Sequence, residues 1–345
     1  MRNFTLVPQY DQPLSLTKLP KVNLHFHADG GVVSPEVFAE LCRRHPDRPI
    51  PKQPFNIDLD EDDLREKGLS QENLDRDPEL RRKSIFGNFL KKYDPVTHFI
   101  RDEDDLELVT YEYLIHCAQS GVMYVELTCS PEHFKEDHEA YESDSSGNRT
   151  PSTPARERSI EYHRFTDTVV KAIQRAEKDF GIDARILMVL LRHDGVERCQ
   201  RTLQDVIANP NPYVVGINMA GDEEQFPARD FAALFEKARR AGLKVTIHIG
   251  EHISGELMYQ EVIATRPDPL IAACLSISLA DDDPAFFDNN IEMEYTETQR
   301  LLGRTDVEML RFTADGIRDA FCSDKLKVKL RAVVELYSVW SGLRD

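Results

Sequence analysis

The sequence predicts an α/β protein in which a parallel sheet is covered by helices, and three observations carry that reading. Strand-length apolar runs alternate with helix-length patterns along the chain, the order that strands joined by crossover helices produce. No fixed-period repeat and no long Pro- or Gly-rich linker divides the chain, so residues 1–345 are expected to form one domain. A length of 345 residues suits one large barrel as well as it suits two ordinary domains.

The elements follow in order. Residues 22–28 (VNLHFHA) read as the first strand and 122–129 (VMYVELTC) as the second, followed by 184–192, 213–220, 244–250 and 275–282. Helical patterns fill 103–120, 158–180, 195–208 and 228–241. Gly121, Gly181 and Gly242 close three of them, because glycine accepts the left-handed conformation that ends a helix. The third stops before Asn209-Pro210. Two stretches stand outside this rhythm: residues 45–80, with the acidic run DLDEDD at 58–63, and residues 136–157, which lack apolar anchors. Both are expected to be solvated surface insertions.

Composition narrows the function. Forty-three basic against 61 acidic residues leave a net charge of −18, a field that repels nucleic acid and anionic lipid. The longest apolar runs, such as 186–191, fall far short of the ~18 residues of a membrane span. The start MRNFTLVPQYDQ lacks an apolar secretory core, so a cytoplasmic location is expected. Cys42, Cys117, Cys129, Cys199, Cys274 and Cys322 form no C-x-x-C pair, which predicts reduced thiols and leaves His, Asp and Glu as metal donors.

Histidine placement is the informative feature. His25 and His27 stand at i and i+2 of the first strand, so they are expected to share one face while Val22, Leu24 and Phe26 share the other. Asp29-Gly30-Gly31 follows at once, placing the pair at a strand's carboxyl end, where parallel barrels build their active sites. His248 ends another strand with Glu251 three residues on, and 275–282 runs into Asp281-Asp282-Asp283-Pro284. Three histidines and a carboxylate at the ends of three strands suit Zn²⁺ with room for a water. Such a metal lowers that water's pKa, and Glu251 could move its protons. Taken singly, an acidic triplet is more often a solvated turn or helix cap, and H-x-H often two ordinary histidines. Co-location at strand ends favours the metal reading.

Several strings also resemble the adenosine deaminase family: LPKVNLHFHADGG (19–31), YVELTCSP (124–131), GINMAGDE (216–223), HIGE (248–251) and SLADDDPAFF (278–287), in the family's order. The resemblance implies a TIM-type (β/α)8 metal-dependent hydrolase barrel that deaminates adenosine to inosine and ammonia with zinc as cofactor. It implies His25, His27, His248 and Asp282 as metal ligands and Glu251 as the group that protonates purine N1. Asp283 would meet N7, the Gly221 backbone N3 and Asp29 the ribose, with His27 also bordering the substrate. Aspartate rather than glutamate at position 29 leans toward a nucleoside.

One departure matters. The family's further histidine, in a Gly-His-Gly turn, and its Cys-Pro-x-Ser-Asn strand end are absent, and no histidine follows His252. Only 24 residues separate Gly250 from Leu275, whereas two more strands with their helices need ~30 residues each. Six strands instead of eight predict an incomplete barrel, with two βα units missing near residue 256. Two alternatives therefore stay open beside adenosine deamination: a non-catalytic member that keeps the metal site, and a deaminase of adenine or another purine.

Overall fold

A computed structural model describes residues 19–135, 141–143, 149–151, 159–251, 253–265 and 277–340. The chain runs β1 (Lys21–Asn23), α1 (Pro35–Arg44), α2 (Glu61–Glu66), α3 (Gln71–Arg76), α4 (Pro78–Thr97), α5 (Glu103–Gln119) and β2 (Val122–Cys129). After β3 (Tyr141–Ser143) and β4 (Arg149–Pro151) come α6 (Tyr162–Phe180), β5 (Asp183–Leu191), α7 (Gly195–Ala208), β6 (Val214–Ala220), α8 (Ala232–Arg240) and β7 (Lys244–Ile247). The last part is helical: α9 (Gly255–Thr265), α10 (Pro284–Phe287), α11 (Ile291–Leu302), α12 (Asp306–Asp319) and α13 (Asp324–Trp340).

Among the described residues, five parallel strands form one sheet in the order β1-β2-β5-β6-β7, a half-barrel. Alternation along each strand sends one set of side chains toward the covering helices. Val125, Leu127, Ile186 and Met188 join a core with Val109 and Leu114 of α5 and Val169 and Ile173 of α6. Ile217, Met219 and Val245 pack on Leu234, Phe235 and Ala238 of α8. On the opposite face, Tyr124 meets Val22, Ile317 of α12, Ala320 and Leu330 of α13. The turn between α12 and α13 reaches further across this face. Phe321 N donates to Glu126 Oε1 at 2.5 Å, and Lys244 Nζ lies 5.9 Å from the Phe321 ring centre. The C-terminal helices thus cover the lower inner face of the half-barrel.

Helices α5, α6, α7 and α8 and strands β2, β5 and β6 fall close to their expected positions. Three strands differ. The expected strand 22–28 keeps its ladder only over Lys21–Asn23. Beyond it, Phe26 bridges Asp282 and His27 bridges Thr128, while His27 N donates to Asp282 O and Asp282 N to His25 O. Side chains reinforce this change of partner, because Asn23 Nδ2 donates to Tyr113 Oη and to Asp281 Oδ1. Val22 and Phe26, expected on one face, accordingly belong to different clusters. Residues 277–282 make no ladder beyond the Asp282 bridge, and 275–276 lie outside the described residues. Strand β7 ends at Ile247, and Gly250 then takes a positive φ of 95°.

The stretch 45–80 is mostly exposed, as expected, but not featureless. Asp60 and Ser70 cap α2 and α3, and Phe55 and Ile57 pack against the core. Of the expected insertion 136–157, only β3 and β4 are described, as an antiparallel pair. No helix among the described residues is long and apolar enough to cross a membrane.

Candidate active site

Four donors from three remote segments meet at the carboxyl end of the sheet. His25, His27, His248 and Asp282 each offer a ligand atom, all within 4.8 Å of one another. His25 Nε2 lies 2.9 Å and His27 Nε2 3.5 Å from Asp282 Oδ1, while His27 Nε2 and His248 Nε2 are 3.1 Å apart. Asp282 holds its place with a φ of 57°, the left-handed region that asparagine and aspartate tolerate better than most residues.

The chemistry of this set fits a divalent metal. Burial, then the charges of His25 and His27, hold the His248 imidazole well below its ordinary range, and burial also lowers His27. Both are therefore neutral, as ligation requires. His248 Nδ1 donates to the Met219 carbonyl at 3.1 Å, which leaves its Nε2 lone pair facing the other donors and fixes the ring. Burial pushes Asp282 up, but the bond and charge of His25 outweigh it and keep the carboxylate ionised. The same partnership raises His25 against the opposing effect of burial. Two neutral imidazoles, a carboxylate and a third imidazole that exchanges its proton for the metal make an N₃O donor set suited to zinc.

Other expected site residues surround this centre. Glu251 Oε1 is 3.9 Å from His248 Nε2. Asp283 is buried, and burial followed by the charges of Asp282 and Asp29 pushes its carboxyl well up. Its Oδ1 has no hydrogen-bond partner and lies against Gly31, where an added Cβ would come within 1.8 Å. Gly221 takes a φ of 102°, and a Cβ there would sit 2.4 Å from His193 Nδ1. Asp29 is 1% exposed and its oxygens already have partners. Tyr93 Oη donates to Oδ1 at 2.9 Å; Ser130 N (3.2 Å) and His133 Nδ1 (2.7 Å) meet Oδ2.

Sequence reasoning missed His133, Tyr93 and Arg192. Arg192, fully buried, donates from Nη2 to the His248 carbonyl at 2.6 Å and so steadies the strand end that carries that ligand. His133 follows and Arg192 closes a predicted strand in the sequence, which is the signal that could have found them. Tyr93 has no such signal, because it arrives from α4.

A sequence model described as adenosine deaminase matches residues 20–268 and 258–337. An adenine deaminase of Sinorhizobium fredii is 23% identical over 366 residues, covering 92% of this chain and 99% of that protein. An adenosine deaminase of Shewanella loihica is 26% identical over 366 residues, covering 92% and 98%. An amidohydrolase of Burkholderia ambifaria solved with bound Zn shares the fold at a TM-score of 0.70 and 19% identity, over 95% of this chain and 92% of that one. The half-barrel thus shares its fold with solved amidohydrolases of the barrel type. The chain belongs to the adenosine deaminase family and is by class an aminohydrolase.

Proposed function

We propose that the chain hydrolytically removes the 6-amino group of an adenine-type purine, with zinc as the metal and adenosine as the substrate the sequence motifs favour. The observation that carries this reading is the meeting of His25, His27, His248 and Asp282, with Glu251 and Asp283 beside them. When bound, zinc supplies an acidified water as the nucleophile. Glu251 is assigned to carry a proton to purine N1. Asp283, whose carboxyl burial pushes well up, is assigned to donate an O–H to N7, which has only a lone pair to offer. The backbone at Gly221, where a side chain would strike His193, lets the purine edge approach at N3. His27 borders both metal and substrate.

A second reading, the free base adenine as substrate, is favoured by one observation: Asp29, assigned to the ribose, is buried with both oxygens engaged. Ammonia release from adenosine and adenine by the zinc-loaded chain tests both. The nucleoside reading expects kcat/KM for adenosine to exceed that for adenine about ten- to a hundredfold, the value of one charge-assisted hydrogen bond. Equal values would remove the role of Asp29 and favour the base. Turnover of neither, with zinc bound, would leave a non-catalytic family member.

A further inference from the structure

We propose that His133 is a positioning residue for purine recognition, acting through Asp29 to fix the loop against which Asp283 is seated. The inference rests on the purine reading of the site. Its geometry is a continuous run of contacts. His133 lies in the 3-10 turn Pro131–Phe134 at the end of β2, and its Nδ1 is 2.7 Å from Asp29 Oδ2. Asp29 is held at the same time by Tyr93 from α4 and by the Ser130 amide. The two glycines that follow leave no slack. A Cβ on Gly30 would come within 2.5 Å of Thr97 Oγ1 and 2.8 Å of Tyr93 Cζ, and one on Gly31 within 1.8 Å of Asp283 Oδ1. The Gly31 carbonyl also accepts from Ala285 N at 2.9 Å, which ties the loop to the helical turn carrying Asp283.

Stability alone does not account for the pair. His133 and Asp29 are 7% and 1% exposed, and a buried polar pair typically returns little net stability over well-packed apolar residues. What it supplies here is orientation, since a hydrogen bond to a carboxylate is more directional than apolar contact. The loop it orients begins two residues after His27, and its Gly31 packs against Asp283.

The test uses the full chain loaded with zinc, with inosine and hypoxanthine as calorimetric ligands, zinc content and melting temperature as controls, and amide hydrogen exchange over residues 29–31. His133→Leu is expected to keep its zinc, weaken inosine binding about ten- to a hundredfold and speed exchange in the loop. His133→Asn, which keeps a donor near the Nδ1 position, is expected to recover most of both. Should His133→Leu fail to fold, the Asp29→Asn, His133→Leu double variant removes both charges and is expected to fold yet bind as weakly. Parent-like binding and exchange in His133→Leu or in the double variant, or no recovery in His133→Asn, would overturn the proposal. If the parent binds neither ligand, the purine reading has failed and the recognition role falls with it; exchange then judges only the hold on the loop, which faster exchange in His133→Leu supports and unchanged exchange refutes.

Discussion

Protons and the metal compete at His25, because the bond that raises its pKa, to Asp282, is made by atoms a metal would use. Zinc binding must release that proton. Affinity measured against a competing chelator is therefore expected to fall as pH drops from 8 toward 6; a pH-independent affinity would contradict the ligand set. Gly31 makes a second prediction at this scale. Gly31→Ala would drive a methyl into Asp283 Oδ1, so purine binding is expected to drop at least about tenfold while zinc stays, a loss of the size of one hydrogen bond to a charged or strongly polarised partner. Glu126 supplies a third. Burial raises its carboxyl to about 7, although Phe321 N and Tyr124 Oη donate to it. The unfolded chain releases this proton near 4.5, so the folded state binds more protons between these values and stability falls as pH rises through that window. Above pH 7 the cost is about 3 kcal/mol. Glu126→Gln should then be more stable than the parent at pH 8 by up to that amount, a difference that vanishes below pH 5 in urea titrations.

At the scale of elements, what the sequence reveals depends on how local the cause is. Helices α6, α7 and α8 are legible because their amphipathic patterns end at a glycine or before a proline, and α5, buried on more than one face, because its helix-length run stops at Gly121, signals contained within each segment. Helix α4 is not, because Ser84 and Asn88 occupy buried positions and Pro95 stands inside its last turn. The break in β1 is equally invisible, since Asp281 and Asp282, more than 250 residues away, supply the hydrogen bonds that cause it. Gly316 shows how an element reports its neighbours. In an isolated helix, Gly→Ala adds about 1 kcal/mol of stability. Here the new Cβ would lie 2.4 Å from Val22 Cγ2 and 3.3 Å from Ser278 Cβ, where α12 crosses β1. Gly316→Ala is therefore expected to lower the melting temperature, at a net cost of about 1–3 kcal/mol typical of overpacking. A higher melting temperature would mean that α12 does not lie against β1.

For the whole molecule, the candidate metal donors His25, His27 and His248 were legible because each stands at the end of a recognisable segment, and Asp282 was singled out from its acidic triplet by the family resemblance, whereas their neighbours Tyr93 and His133 became visible only once the chain was folded. The half-barrel agrees with the missing segment. In the alignment with the Sinorhizobium fredii protein, 92% of this 345-residue chain, about 317 residues, is spread over 366 positions, so about fifty positions have no counterpart here. The family match comes in two parts that meet at residues 258–268. One consequence is an edge: among the described residues, β7 pairs only with β6, and open edges are costly. Another is chemical, since no histidine follows His252; losing one preorganised polar partner costs 10²–10³ in rate, about 3–4 kcal/mol. Deamination by this chain is accordingly expected to be slow. The central claim, that the half-barrel still assembles one metal site from its first strand, its last strand and the Asp282 turn, is tested most directly by the zinc-to-protein ratio after dialysis, measured for the parent, His25→Ala and His248→Ala. The account predicts one zinc per parent chain and little in either variant; a parent without zinc, or variants that retain it fully, would contradict it.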